Sequence, residues 1–277
     1  MITLTTDFGS SDGFPAAMRG VIARINPAAA VADVTHEAPP QDIAHAAFVL
    51  AAVTPYFPEG SLHVAVVDPG VGGERRALAI AAPDSTIYVG PDNGVFTHVL
   101  SRGGPAHGPS HELGYLAPFT APVPEGFRAH SIENADYMLP AVSATFHGRD
   151  VFAPAAAHLS LGAPVELLGP RVDELVMLNA PGPLIEGGRV TGHVQYVDRF
   201  GNLATDIPAA QVSGGIRRAR IRNRAINGLS PSYSSAAGPE RLACVIASHG
   251  FLEIAQYGGN AARELGGGVG DRVTVEL

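Results

Sequence analysis

Three aspartates stand directly after short apolar runs in the first part of the chain. Asp7 follows Ile2–Thr6, Asp68 follows Leu62–Val67, and Asp92 follows Thr86–Val89 within Gly90-Pro91-Asp92-Asn93-Gly94. If those runs are parallel strands, the carboxylates share the sheet edge at which α/β proteins bind ligands, beyond the carboxyl ends of the strands. The pattern recurs later: Asp198 follows Gln195-Tyr196-Val197, and Ser248-His249 follow the run ending at Ala247. One such aspartate alone would read as a loop cap, because Asp bonds local backbone readily. Five polar positions in the same relation to strands read as a binding edge.

The loop Asp68-Pro69-Gly70-Val71-Gly72-Gly73-Glu74-Arg75-Arg76 is the most unusual segment. Its glycines permit close backbone approach or positive φ, and the arginine pair can turn back to the carboxylate. It has neither the Gly-Lys-Ser/Thr ending of a phosphate-binding loop nor the dinucleotide fingerprint. A second dense segment is Thr145-Phe146-His147-Gly148-Arg149-Asp150, ahead of a helix. Asp150 reads there as the helix N-cap and Arg149 as a partner for a neighbour. Gly148 leaves the edge of the His147 imidazole accessible, and residue type alone leaves its catalytic role open. Metal chemistry is not expected. His-Glu-x-x-His is missing, and His45, His63 and His98, with His107 and His111 in a Gly/Pro-rich stretch, read as surface or packing residues. A serine hydrolase is equally unsupported, for want of a Gly-x-Ser-x-Gly elbow.

The elements that must position these residues fall into two groups. Up to about residue 160, apolar runs (Ile2–Thr6, Val31–Thr35, Leu62–Val67, Ala77–Ala81, Thr86–Val89) alternate with helical segments. These are Phe14–Ile25, a segment capped by Asp42 and running to about Val53, and Phe152–Leu161. That alternation predicts an N-terminal α/β layered domain, residues 1–165, with a largely parallel sheet. The Pro/Gly-rich stretch 166–187 reads as a linker. Residues 188–277 carry strand-like runs (Arg189–Val197, Leu203–Ile207, Arg217–Ile221, Leu242–Ala247, Arg272–Glu276) with almost no helix, which predicts a small all-β barrel. The Pro/Gly-rich segment from Arg102 to Arg128 reads as a surface excursion of the first domain.

Composition narrows the function classes. The 277-residue chain is 46% hydrophobic and carries a formal charge of −8, with no basic run long enough to attract nucleic acid or anionic lipid. Arg217, Arg218, Arg220, Arg222 and Arg224 read as a solvated strand face. Cys244 is the single cysteine, which excludes an intramolecular disulfide and a cysteine-only metal cluster; in its apolar run it reads as a small buried hydrophobe. No 18-residue apolar window and no signal-peptide pattern is present, so a cytoplasmic protein with no membrane partner is expected.

At these segments the chain resembles the S-adenosyl-L-methionine (SAM) hydroxide adenosyltransferase family, hydrolytic relatives of fluorinase and chlorinase. The resemblance rests on Thr5-Thr6-Asp7-Phe8-Gly9, Val67-Asp68-Pro69-Gly70-Val71-Gly72, Gly90-Pro91-Asp92-Asn93-Gly94, Phe146-His147-Gly148-Arg149-Asp150-Val151-Phe152-Ala153-Pro154, Asp198-Arg199-Phe200-Gly201-Asn202-Leu203 and Gly250-Phe251-Leu252-Glu253-Ile254-Ala255. The second, fourth and fifth are individually specific. The resemblance implies SAM as the small-molecule substrate, no cofactor, and a homotrimer with active sites between the N-terminal domain of one subunit and the C-terminal domain of the next. It implies that Asp68, Arg75 and His147 are the catalytic set of the water-using branch, with His147 either base or orienting group. Substrate-binding roles fall to Asp7 (ribose diol), Asp198 (methionine ammonium), Asn202 and Ser248 (adenine edge) and Phe200 (adenine ring). The chain has no tryptophan for the aromatic wall of the halogenating relatives. Two alternatives remain at this level: a SAM-dependent halogenase, which would have replaced the water-holding set, and a SAM- or nucleoside-binding protein without turnover.

Overall fold

The structure, a computed structural model, describes residues 1–101, 112–236 and 241–277. It divides into two compact units, Met1–Asn179 and Ala180–Leu277. The first is built on a seven-stranded sheet. Its strands are β1 (Ile2–Thr6), β2 (Val31–Thr35), β3 (Leu62–Val66), β4 (Ala77–Ala81), β5 (Ile87–Pro91), β7 (Arg128–Ser131) and β8 (Arg171–Val172), with β6 (Pro118–Pro122) and β9 (Glu174–Leu178) forming a separate ribbon. The sheet order is β2-β1-β3-β5-β4-β7-β8. The first four strands are parallel, as expected, and the flank from β4 onward is antiparallel, so the sheet is mixed.

Strand alternation divides the apolar residues between the two faces. Ile2, Leu4, Val64, Val66, Ala79 and Val89 meet helices α1 (Phe14–Ile25) and α4 (Ala153–Ser160). Ala65, Val67, Leu78, Ile80 and Tyr88 lie under α2 (Ile43–Val53), α3 (Thr97–Leu100) and the β6–β9 ribbon. That ribbon alters two expectations. Residues 118–122 are not surface excursion; they pair with Glu174–Leu178 and cover the second core, while positions 102–111 lie outside the described residues. Most of the segment read as a 166–187 linker is likewise built into the first unit, because Leu168, Val172, Leu175 and Met177 are buried there. Prolines and glycines marked its turns correctly, but its short apolar runs are strands.

The second unit is a nearly closed antiparallel barrel. Its strands are β10 (Leu184–Glu186), β11 (Arg189–Val197), β12 (Leu203–Pro208), β13 (Arg218–Ile221), β14 (Arg224–Asn227), β15 (Leu242–Ile246), β16 (Phe251–Gln256) and β17 (Arg272–Glu276), with one short helix, α5 (Ala261–Leu265). The order is β14-β13-β17-β11-β12-β16-β15, with β10 beside β11. The two ends of this path come together where Ser230 N–H donates to the Cys244 carbonyl at 2.7 Å. Cys244 is fully buried in the barrel, and burial pushes its thiol up to about 12. The basic cluster is a hairpin whose arginines pair outward with Glu276, Asp271 and Glu264, a solvated face of little net stabilising effect.

Asp42 caps α2 as the sequence predicts, its Oδ1 accepting from His45 N–H at 2.9 Å. Replacing it with Ala should lower the stability of the first unit by about 1 kcal/mol. In calorimetry that is a drop of about 2–4 °C in the unit's melting transition; an unmoved transition would show the cap to be idle.

Candidate active site

Asp7 and Asp68 leave adjacent parallel strands at the same edge, since Thr6 stands opposite Val66 in the β1–β3 register. Asp68 grips Arg75 along one side of the guanidinium. Arg75 Nε lies 3.0 Å from both carboxylate oxygens, and Nη2 donates to Oδ2 at 2.5 Å. The other hydrogen of Nη2 is directed at His147 Nδ1, 2.7 Å away. Because arginine stays protonated, Nδ1 must accept, and the neutral ring carries its proton on Nε2. The guanidinium carbon also sits 5.4 Å from the centre of the Phe152 ring. Of five donors, Nε and the two on Nη2 are committed. The pair on Nη1 meets no acceptor among the described residues.

Local sequence explains how these groups converge. The 68–76 loop packs against the segment before His147, and Gly72 makes that approach possible. It sits at φ +74°, and a Cβ there would lie 2.2 Å from the Ala144 carbonyl oxygen. Gly148 is similarly hemmed in by the rings of Phe8 and Phe146. Those rings and Phe14 form an edge-to-face trio with centroids 5.1–5.9 Å apart, an apolar wall beside the cluster. Residues Gly148–Phe152 form a single π turn before α4. Pro154 has no N–H to give the Asp150 carbonyl four residues earlier, and Leu139 N–H fills that place at 2.9 Å.

Burial, and then the neighbouring Arg75 charge, lower the His147 pKa from its ordinary value; Asp68 and Asp150 oppose them without reversing the direction. Asp150 is not an N-cap, as the sequence suggested. It lies within the π turn, fully buried, and accepts from the Ser143 N–H, the Ser143 hydroxyl and Arg149. Arg149 thus does pair with its neighbour.

The strand-end aspartates divide by use. Asp7 Oδ2 accepts from Gln41 N–H at 2.8 Å, and its other oxygen meets no donor among the described residues. Asp92 belongs to the scaffold: it is buried, salt-bridged to Arg76, and bonded to Val176 N–H. In the barrel unit, Asp198 closes its own loop. Oδ1 accepts from the N–H groups of Phe200 and Asn202, and Oδ2 from the Asn202 side-chain amide, all at 2.8 Å. Phe200 is 73% exposed at the tip of that loop. Ser248 and His249 form the β15–β16 turn.

A residue not singled out by the sequence joins this group. Glu253, 4% exposed on β16, accepts from the Tyr233 hydroxyl at 2.9 Å and faces His249 Nε2 at 3.4 Å. Burial and that hydrogen bond push Tyr233 up to about 12. Burial, then the charges of Asp198 and Glu253, also raise Tyr196. The signal was a lone Glu in the apolar run Phe-Leu-Glu-Ile-Ala; that the outer face of the strand is covered there is not visible locally. Among the described residues, no group of three His, Cys, Asp or Glu side chains is placed to hold a metal ion, and no helix is long and apolar enough to cross a membrane.

A mixed-sheet α/β unit with an Asp–Arg–His cluster at its strand ends, followed by a barrel unit with a second polar edge, defines the class. Residues 2–169 match the SAM hydroxide adenosyltransferase N-terminal domain, and residues 192–274 match the C-terminal domain of the same family. The chain belongs to the SAM hydroxide adenosyltransferase family. It is 39% identical to the (R)-S-adenosyl-L-methionine hydrolase of Salinispora tropica, over 99% of this chain and 97% of that protein. A fluorinase from an Actinoplanes species is more distant, 26% identical over 75% of this chain and 71% of that one. The crystal structure of an uncharacterized conserved protein from Thermotoga maritima superposes with a TM-score of 0.85 at 31% identity, covering 100% of both chains.

Histidine NMR tests the electrostatics directly. His147 should titrate below the ordinary 6.5, and Arg75→Met should move it upward, because the arginine charge is one of the groups lowering it. Since the unfolded chain binds this proton more tightly, the term favours folding above about pH 6.5 and fades as pH falls below it. A His147 titration unchanged in Arg75→Met would break the assigned contact.

Proposed function

We propose that the chain hydrolyses S-adenosyl-L-methionine to adenosine and L-methionine, water attacking the ribose 5′ carbon in line with the breaking C–S bond. The observation that carries this reading is the committed geometry of Arg75. Two partners fix the guanidinium and leave the Nη1 donors for one water. The sulfonium is a cationic leaving group and departs as a neutral thioether, so expulsion of methionine requires neither a general acid nor a metal. What the reaction demands is a water held in line, with the proton it loses, which carries off the charge the sulfonium brought, passing to solvent. Arg75 holds and aims that water, and Asp68 orients Arg75. His147, with Nδ1 occupied by Arg75, braces the guanidinium and does not serve as the water's base.

The binding roles fit the same chemistry. The unoccupied oxygen of Asp7 suits the ribose diol. Asp198, pre-oriented by its loop, suits the methionine ammonium. Asn202 spends its amide nitrogen on Asp198, so its carbonyl is left to accept from the adenine amine, with Ser248 nearby in role and Phe200 against the ring. No cofactor is part of this reading. Self-association as a homotrimer and a cytoplasmic location belong to it; the single buried thiol agrees with a reducing compartment, and light scattering on the purified protein tests the assembly.

Incubation of metal-free protein with SAM, with and without chloride and chelator, followed by chromatography, tests the reaction. Equal amounts of adenosine and methionine, indifferent to both additions, are expected; a 5′-chloronucleoside, or SAM recovered intact, would refute hydrolysis. Arg75→Ala should lower kcat by about 10²–10³, the scale of losing one transition-state donor, with little change in KM. On the acid side, kcat should fall in step with the lowered His147 titration, as protonation makes Nδ1 release Arg75. A profile that does not track the His147 titration would contradict the bracing role.

A further inference from the structure

Asp150 is a fully buried carboxylate that the proposed reaction does not use. Burying a charge is costly unless it is paired and fully hydrogen-bonded, so its surroundings show what the fold gains from it. Oδ2 accepts from Ser143 N–H at 2.9 Å and from the Ser143 hydroxyl at 2.8 Å. Arg149 closes the charge balance, Nε to Oδ1 at 2.6 Å and Nη2 to Oδ2 at 3.0 Å. Burial alone would raise the pKa of Asp150; the Arg149 and Ser143 hydrogen bonds outweigh it and hold the carboxyl below its usual range.

Ser143 passes this anchoring on. Its hydroxyl oxygen accepts from Phe146 N–H at 3.1 Å. The turn 143–147 is therefore tied to Asp150 at its first residue and, through the Asp150 N–H to Phe146 carbonyl bond of 3.1 Å, near its last. The opposite side of the turn is where Gly72 lets the Asp68–Arg75 loop press on Ala144. A shift of this turn would carry His147 Nδ1 away from Arg75.

We infer that Asp150 is a positioning residue for the reaction: through Ser143 it fixes the 143–147 turn, and so the His147–Arg75 contact that aims the guanidinium. This rests on the reading of Arg75 and His147 given above. It differs from a merely structural role because its effect on turnover must pass through His147.

A double-mutant cycle separates the two roles. Asp150→Asn keeps the side-chain volume but removes the charge and one acceptor, so Ser143 and Arg149 compete for a single carbonyl oxygen. It should lower kcat by about 10–100-fold, the scale of disturbing groups that orient a catalytic residue, with KM changed less than about threefold. In a His147→Ala background the same substitution should cost less than about threefold more, because its route to Arg75 is already cut. Ser143→Ala, a milder change that keeps the buried ion pair, should show the same dependence on His147 if Asp150→Asn folds poorly. Turnover is referred to folded protein, measured well below each variant's melting temperature. Equal losses from Asp150→Asn or Ser143→Ala with and without His147 would overturn the positioning role and leave the functional reading intact. A His147→Ala enzyme as fast as the parent would instead strike at that reading, and the inference would fall with it.

Discussion

Arg75 carries a permanent charge with only 11% of its side chain exposed, and the loops of the first unit are arranged around holding it. An arginine so placed must have its charge balanced and its donors filled, or its burial destabilises the fold by several kcal/mol. Asp68 meets the first demand with a two-sided grip, and His147 meets part of the second by offering a lone pair in place of another charge. Close approach follows from this. Gly70 passes 3.2 Å beneath the arginine side chain where a Cβ would stand, and Gly72 turns against the Ala144 carbonyl. The glycines of this loop serve as spacing for a guanidinium; they do not form a phosphate cradle.

The carboxylates at the strand ends share a position and differ in what surrounds them. Asp92 lies under the β6–β9 ribbon and is consumed by Arg76 and a backbone amide, so it ties the ribbon to the sheet. Asp150, within a turn, is consumed in the same way by Ser143 and Arg149. Asp7 keeps one oxygen without a donor among the described residues, and Asp198 keeps its charge without a described cationic partner. A carboxylate with its hydrogen bonds filled and its charge neutralised holds the scaffold. One that lacks either is available to a ligand.

Much of this was legible in the sequence, for identifiable reasons. The parallel strands β1, β2, β3 and β5 are apolar runs of the right length, and helix α2 carries its cap signal at Asp42. The convergence of Asp68, Arg75 and His147 came from a resemblance, because contact across seventy-odd residues leaves no periodic trace. What failed were places where tertiary contact overrides local character. Residues 166–187 look like a linker because prolines and glycines punctuate them, yet β8 and β9 within them are paired. Asp150 looks like an N-cap because it precedes a helix, and the π turn ahead of Pro154 moved it inside. Glu253 stood in the sequence only as part of a motif; its partners are Tyr233, twenty residues earlier, and His249 in the adjoining turn.

In the proposed reaction, the choice between water and halide as nucleophile also turns on the Asp68–Arg75 pair. SAM brings a sulfonium cation to the reacting carbon, and an unpaired arginine beside it would repel the substrate. Bound by Asp68, the pair is neutral as seen by the sulfonium, while the Nη1 hydrogens remain strong local donors. A halide needs more than donors: it must leave water for a site whose net charge attracts it. A carboxylate bonded to the same guanidinium opposes that attraction at short range. Water loses little by the same arrangement, since it arrives uncharged and gives up a proton to solvent as its oxygen bonds to carbon. A neutral pair with directed donors is therefore better matched to a neutral nucleophile than to one that must arrive as a desolvated anion.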